Sequence, residues 1–187
     1  MFLFYLIAAL WLGWLGYWIA ASTQVKPVAR SESWQSRVAY SVPLWISAFL
    51  LLDRHFGHVL NRHLFPSMPW TLLLGTALTA AGIAFAVWAR VVLGANWSAE
   101  VTVKEGHELI QTGPYALARH PIYTGLALAV LGTAIAVGEW RALIALILTV
   151  GSFWYKLGIE ERVMTETFGA AYDNYRRRVR ALIPFVV

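Results

Sequence analysis

No cysteine occurs anywhere in the 187-residue chain. Disulfides, thiolate nucleophiles and Cys-ligated zinc are thereby excluded, and the redox compartment is left unmarked. Charge is scarce as well: Asp, Glu, Lys and Arg together make up 13% of the residues, about half the share of an average globular domain. Neither glycine-rich phosphate loop, Gly-x-Gly-x-x-Gly or Gly-x-x-x-x-Gly-Lys, occurs, which argues against a soluble-type nucleotide fold.

What the sequence has in abundance is apolar side chains, 59% of the total. Five runs approach the roughly 20 residues that a helix needs to cross a hydrocarbon core. They are residues 1–21, about 38–52, 70–93, 122–138 and 142–159. The first lacks a basic leader and ends in bulky Trp18 and Ile19 where a signal peptidase wants small residues, so it reads as a retained membrane helix. The expected fold class is an all-α integral membrane protein of about five spans, forming a single membrane domain over residues 1–187, with three spans in 1–93 and two spans plus an amphipathic tail in 94–187.

A net charge of +5 would suit a nucleic-acid partner in a soluble protein, but in a membrane protein the placement of cations matters more than their sum. With five spans, alternate loops share a side. One side and its helix flanks carry Lys26, Arg30, Arg37, Arg90, Lys104, Arg119, Lys156, Arg162, Arg176, Arg177, Arg178 and Arg180; the other carries Arg54, Arg62 and Arg141. The positive-inside rule then places the N-terminus outside and the tail in the cytoplasm, in a multi-pass protein of a prokaryotic inner membrane. Lipid, not nucleic acid, is the expected surroundings; oligomeric state is left open.

Small residues recur at spacings of four, three and four in three spans: Gly75, Thr79, Gly82, Ala86; Gly125, Ala129, Gly132, Ala136; and Ala145, Thr149, Ser152, Lys156. Each row lies on one helical face and lets backbones approach closely in lipid. The short "VGEW", residues 137–140, demands a tight antiparallel hairpin between spans four and five. Trp11, Trp14 and Trp18 are expected at the membrane interface or against lipid, with no function assigned. His55, His58 and His63 in "DRHFGHVLNRH" lack an acidic or Cys partner, so no metal site is assigned.

Residues 94–121 are too long and polar for a mere connector. "VTVKEGHELI" alternates weakly and suggests a short β-ribbon. Pro114 suits the start of a short helical segment, while Pro121 pushes His120 out of helical geometry and can open span four. After span five, "EERVMTETFGAAYDNYRRRVRALIPFVV" reads as a tail with helical stretches, apolar on one side and basic on the other, lying along the membrane surface.

Two polar clusters therefore meet the membrane at one end: His107, Tyr115, Arg119, His120 and Tyr123 before and at span four, and Glu160 and Glu161 at the end of span five. The hairpin brings them together. Each residue also has an ordinary use. Arg119 can snorkel to phosphates, Glu160 can pair with Lys156 one turn earlier, and His120 can satisfy a helix start. Spacing alone does not choose between these uses and a shared site.

"GHELIQTGPYALARHPIYTG" followed by "EERVMTETFGAAYDNYRRRVRALIP" resembles the isoprenylcysteine carboxyl methyltransferase family, and more loosely the phospholipid methyltransferases of the same superfamily. The match covers about the last half of the chain. The resemblance implies an enzyme that uses S-adenosyl-L-methionine, bound in a cytoplasmic pocket capped by the loop before span four and by the tail, to methylate the carboxyl of an isoprenylcysteine-like, lipophilic or prenylated substrate. Carried over by position, His107, Leu109, Ile110, Gly113, Tyr115, His120, Tyr123, Glu160 and Glu161 would bind the cofactor. Arg119 and Arg178, able to grip carboxylates bidentately, would be catalytic.

A carboxylate acceptor is already ionised at neutral pH and needs no general base, so positioning can supply most of the catalysis. Two other readings stand beside this one. Membrane sterol-type reductases that use NADPH carry a similar Arg-His-x-x-Tyr-x-Gly pattern, and a small non-enzymatic transporter could bind a ligand at the same cluster, although transport favours polar groups near the bilayer midplane.

Overall fold

The computed structural model describes residues 2–23, 25, 28–52, 57–104, 106 and 108–183. Among them are seven α-helices: α1 (Phe2–Ala21), α2 (Trp34–Leu52), the short α3 (Gly57–Leu60), α4 (Pro69–Leu93), α5 (Pro121–Val137), α6 (Trp140–Phe168) and α7 (Ala170–Arg178). Phe2–Ala21, Pro69–Asn96 and Trp140–Phe168 are long and apolar enough to cross a membrane, and α5 is apolar but shorter. Large apolar side chains such as Phe2, Trp45, Leu52, Leu73, Ile147 and Trp154 point outward, the arrangement of a protein whose solvent is lipid.

Local sequence sets the helix ends. Pro69 and Pro121 each open a helix at its first position, where a missing N–H costs nothing and φ is already helical. Gly138 closes α5 in the left-handed region at φ +66° and returns its N–H to the Ala134 carbonyl; only glycine takes that conformation freely. Glu139 then precedes α6 in extended geometry. Gly138 and Glu139 alone separate the two helices, so the expected hairpin forms.

The α4–α5 contact is backbone on backbone. A Cβ added to Gly75 would lie 2.5 Å from the Gly132 carbonyl oxygen, and one added to Gly82 would lie 2.4 Å from that of Gly125. The first two rows of small residues are thus the two halves of one interface. The polar members are satisfied inside it: the Thr79 hydroxyl donates to the Gly75 carbonyl at 2.8 Å, and the Trp11 indole donates to Thr133 Oγ1 at 3.0 Å. The third row faces α2. Ser47 Oγ donates to the Ala145 carbonyl at 2.8 Å and lies 2.7 Å from Thr149 Oγ1.

Two expectations change. The strand expected in 101–110 forms as β2 (Thr102–Lys104), but its antiparallel partner is β1 (Val28–Ser31), in the connection after α1. That pairing ties the connections after α1 and α4 to one end of the bundle. The segment beginning "EERVMTETF" is not a separate tail; it continues α6 to Phe168, because neither glycine nor proline interrupts it between Gly158 and Gly169. The tail proper begins at Gly169, which has φ +52°.

Candidate active site at the junction of α5, α6 and α7

Three chain segments converge here. The first is the 3-10 turn Gly113–Ala116 with the approach to α5, the second is the last turns of α6, and the third is α7 with the chain beyond it. His120 stands just before α5 with ψ 60°, outside the helical region, as expected of a residue preceding proline. The tail is latched onto this approach by backbone pairing: Arg119 N–H donates to the Arg180 carbonyl at 2.8 Å and His120 N–H to that of Ala181 at 3.0 Å. The Thr124 hydroxyl adds a bond of 2.6 Å to the Leu182 carbonyl.

The two glutamates are held differently. Glu161 is surrounded: Arg119 reaches its Oε1 at 2.6 Å, His120 Nε2 and the Tyr172 hydroxyl reach the same atom at 3.2 Å, and Arg176 reaches Oε2 at 3.0 Å. Arg119 also donates to the Val179 carbonyl at 2.5 Å and to that of Arg176 at 3.4 Å. Glu160 accepts from the Tyr123 hydroxyl at 2.5 Å and lies 3.2 Å from His120 Nδ1. His120 therefore bridges both carboxylates and stacks on Tyr123, ring planes 2° apart.

Burial by itself would disfavour the His120 imidazolium; its hydrogen bonds to Glu160 and Glu161, and their charges, outweigh that and hold its pKa above the ordinary value of 6.5. Burial also raises the Tyr115, Tyr172 and Tyr175 phenols, which stay protonated. Their hydroxyls are therefore available as donors, and the Tyr175 hydroxyl donates a hydrogen bond to the Tyr115 carbonyl at 2.5 Å.

A cavity of about 280 Å³ opens beside this network. Glu160, Arg119, His120 and Tyr172 line its polar part, while Trp14, Trp18, Trp97, Leu126 and Phe153 line an apolar part. Trp18 and Trp97 meet edge to face at 5.6 Å. Trp14 and Trp18, expected to face lipid or interface, are instead turned partly into the protein, because Trp11 is hydrogen-bonded to α5 and Arg90 pins the end of α1 through a bond of 2.6 Å to the Ala21 carbonyl.

Residues 70–171 match the phospholipid methyltransferase family. The chain belongs to that family. Family relatives similar to it include the protein-S-isoprenylcysteine O-methyltransferase of Schizosaccharomyces pombe, 29% identical over 142 residues that cover 71% of this chain and 60% of the relative. The enzyme of the same name from Saccharomyces cerevisiae is 30% identical over 117 residues, 61% of this chain and 49% of its own. The fold is shared with the solved eukaryotic intramembrane Ras methyltransferase ICMT, at a TM-score of 0.58 and 23% identity, over 84% of this chain and 55% of that one. In these three comparisons the chain spans between about half and three fifths of its relatives' length.

Of the residues that the resemblance named, Leu109, Ile110, Tyr115, Arg119, His120, Tyr123 and Glu160 line the cavity, and Glu161 is bound to three of the same cluster's residues from behind. Gly113 is not at the cavity; it packs against Trp88 and Val92 with φ +59°. Arg178 is exposed on α7, donating to Gln111 Oε1 at 2.8 Å, and does not line the cavity. His107 lies outside the described residues, as does His55. His63 forms a backbone bridge with Glu139 at the opposite end of the helices. Sequence reasoning gave no place in the site to Tyr172, Tyr175, Arg176, Lys156 or the tryptophans, and the ion pair expected between Lys156 and Glu160 does not form. The i, i+3 spacing of Tyr172 and Tyr175 within "FGAAYDNY" was the available signal.

Proposed function

We propose that this protein is an S-adenosylmethionine-dependent methyltransferase that esterifies the carboxyl of an isoprenylcysteine-like lipophilic acceptor. The observation that carries the reading is the cavity's composition: its lining joins a hydrogen-bonded acid, base and cation cluster to tryptophan, leucine and phenylalanine, with Phe153 stacked directly on Tyr123 at 4.8 Å. A water-soluble cofactor and a membrane-soluble acceptor need that combination in one space.

The residues fit the cofactor. Glu160 has its carboxylate fixed by Tyr123 and His120 yet still borders the cavity, so it can accept from ribose hydroxyls or from an amino group. Leu109, Ile110 and Tyr115 offer apolar surface of the kind an adenine ring covers. When bound, S-adenosylmethionine would supply a sulfonium methyl group for in-line transfer: an acceptor carboxylate oxygen would form the new O–CH3 bond as the C–S bond breaks, its electrons leaving with sulfur as the neutral thioether of S-adenosylhomocysteine. The protein's own part is to align the two and exclude water; no base has to be found for an acceptor already ionised. Glu161, Arg119 and Arg176 hold the tail over the site, and α7 closes it.

In this reading α2 and α5 cross the bilayer together with the three longer helices, the ribbon and the site face the cytoplasm of a prokaryotic inner membrane, and the N-terminus lies outside. The activity for which the relatives are named supports a prenylated thioether acid as the acceptor. Isothermal calorimetry on the detergent-purified protein should detect S-adenosylhomocysteine, with NADPH as comparator. Folded protein that binds NADPH in its place would overturn the reading.

A further inference from the structure

Lys156 makes no hydrogen bond or ion pair to the network described above, although its charge acts on Glu160 one turn later; it is buried at 7% exposure on α6 and lines the same cavity. Its Nζ donates to the Ala99 carbonyl at 2.6 Å and sits over two aromatic rings, 4.7 Å from the Tyr40 centroid and 5.8 Å from that of Tyr123. Among the described residues no carboxylate comes within ion-pair distance of it. Glu160 is engaged by Tyr123 and His120, and Glu100, also at the cavity, is paired with Arg37.

An ammonium carries three N–H donors, and here one carbonyl takes one of them. Ring faces attract a cation but are weak substitutes for the water or anion a buried charge requires. In a membrane-embedded wall such a charge is costly, and its natural complement is an anionic ligand. Arg178, the residue that resemblance assigns to the acceptor carboxylate, is exposed and bonded to Gln111 outside this cavity.

The geometry points to Lys156 as the anion anchor of the acceptor: its ammonium receives the carboxylate of a lipophilic thioether acid whose tail lies against Trp14, Trp18 and Trp97. This rests on the methyltransferase reading and identifies which residue selects the acceptor. Methylation converts the bound carboxylate into a neutral ester. The anchor then loses its partner, so product binds more weakly than substrate and leaves.

The test uses N-acetyl-S-farnesylcysteine and its methyl ester as probes, titrated by equilibrium dialysis into the full-length protein in detergent, without cofactor. Wild type should bind the acid at least about tenfold more tightly than the ester, the scale of one charge-assisted contact. Lys156→Met should bring the acid down to the ester's affinity, leave the ester unchanged, and keep S-adenosylhomocysteine affinity within about threefold. Equal binding of acid and ester by wild type overturns the proposal, and that comparison needs no variant to fold. So does a Lys156→Met protein that keeps its preference for the acid, or an Arg178→Ala protein that alone loses it. Displacement of the acid by phosphatidylethanolamine micelles at matching affinity would assign the anchor to a lipid phosphodiester and overturn the carboxylate assignment. Loss of S-adenosylhomocysteine binding with the acid preference intact would sink the methyltransferase reading alone and uphold the anchor.

Discussion

Arg119 and Glu161 form a buried ion pair at 2.6 Å, with the two side chains 9% and 10% exposed. The pair joins the approach to α5 with α6, and through the Val179 carbonyl and Arg176 it also holds the tail. Its neighbour Glu160 belongs to the cavity. Adjacent glutamates thus divide into a clamp and a cavity-facing group.

That division predicts opposite phenotypes. Glu161→Gln leaves the buried Arg119 guanidinium without its carboxylate counterpart and should destabilise the fold by about 3–5 kcal/mol, seen as a lowered thermal midpoint in detergent. Glu160→Gln should lower S-adenosylhomocysteine affinity by about 10–100-fold while changing the midpoint far less, because it removes charge-assisted hydrogen bonds to the ligand. Identical behaviour of the two glutamine variants would contradict the assignment.

The α4–α5 seam should be intolerant of a single methyl group. Gly82→Ala would push a Cβ to 2.4 Å from the Gly125 carbonyl oxygen, and rigid backbone cannot yield as a side chain can. A loss of about 1–3 kcal/mol or more is expected from such overpacking. Gly16→Ala on α1 meets nothing within 4 Å and serves as the neutral control. Unfolding in a denaturant series, with secondary structure as the signal, separates the two.

Stability should also depend on pH through His120. Its folded-state pKa is raised above 6.5 by Glu160 and Glu161 against the opposing effect of burial, so the folded state binds the proton more tightly than the unfolded chain does. The contribution is fully present below about 6.5 and is lost as pH rises through the elevated folded value. Thermal midpoints measured upward from pH 6 should therefore fall over that window, and His120→Gln should flatten the profile. A wild-type midpoint that rises there would show that the ring is neutral in the folded protein.

Much of this was legible in the chain itself. Composition and run length determined a helical membrane protein, because a 30 Å hydrocarbon layer dictates both the length and the apolarity of its helices. The rows of small residues at Gly75–Ala86 and Gly125–Ala136 identified the faces that meet, since helical periodicity is local. Pro121 and Gly138 fixed where α5 begins and ends for the same reason. The polar clusters around His120 and Glu160 were legible from hairpin connectivity.

What tertiary structure alone decided is who pairs with whom across long sequence separations. Nothing local to Glu160 and Glu161 says that one would be enclosed by Arg119, Arg176 and Tyr172 while the other borders a cavity. That outcome depends on α7 folding back over α5. Nor could periodicity show β2 taking its partner from the connection after α1, Trp14 and Trp18 turning inward once Arg90 captured the end of α1, or Lys156 standing in the cavity wall with no carboxylate of the described residues within ion-pair distance. Each of these is set by contacts between distant segments, whose energies are not written in the spacing of neighbouring residues.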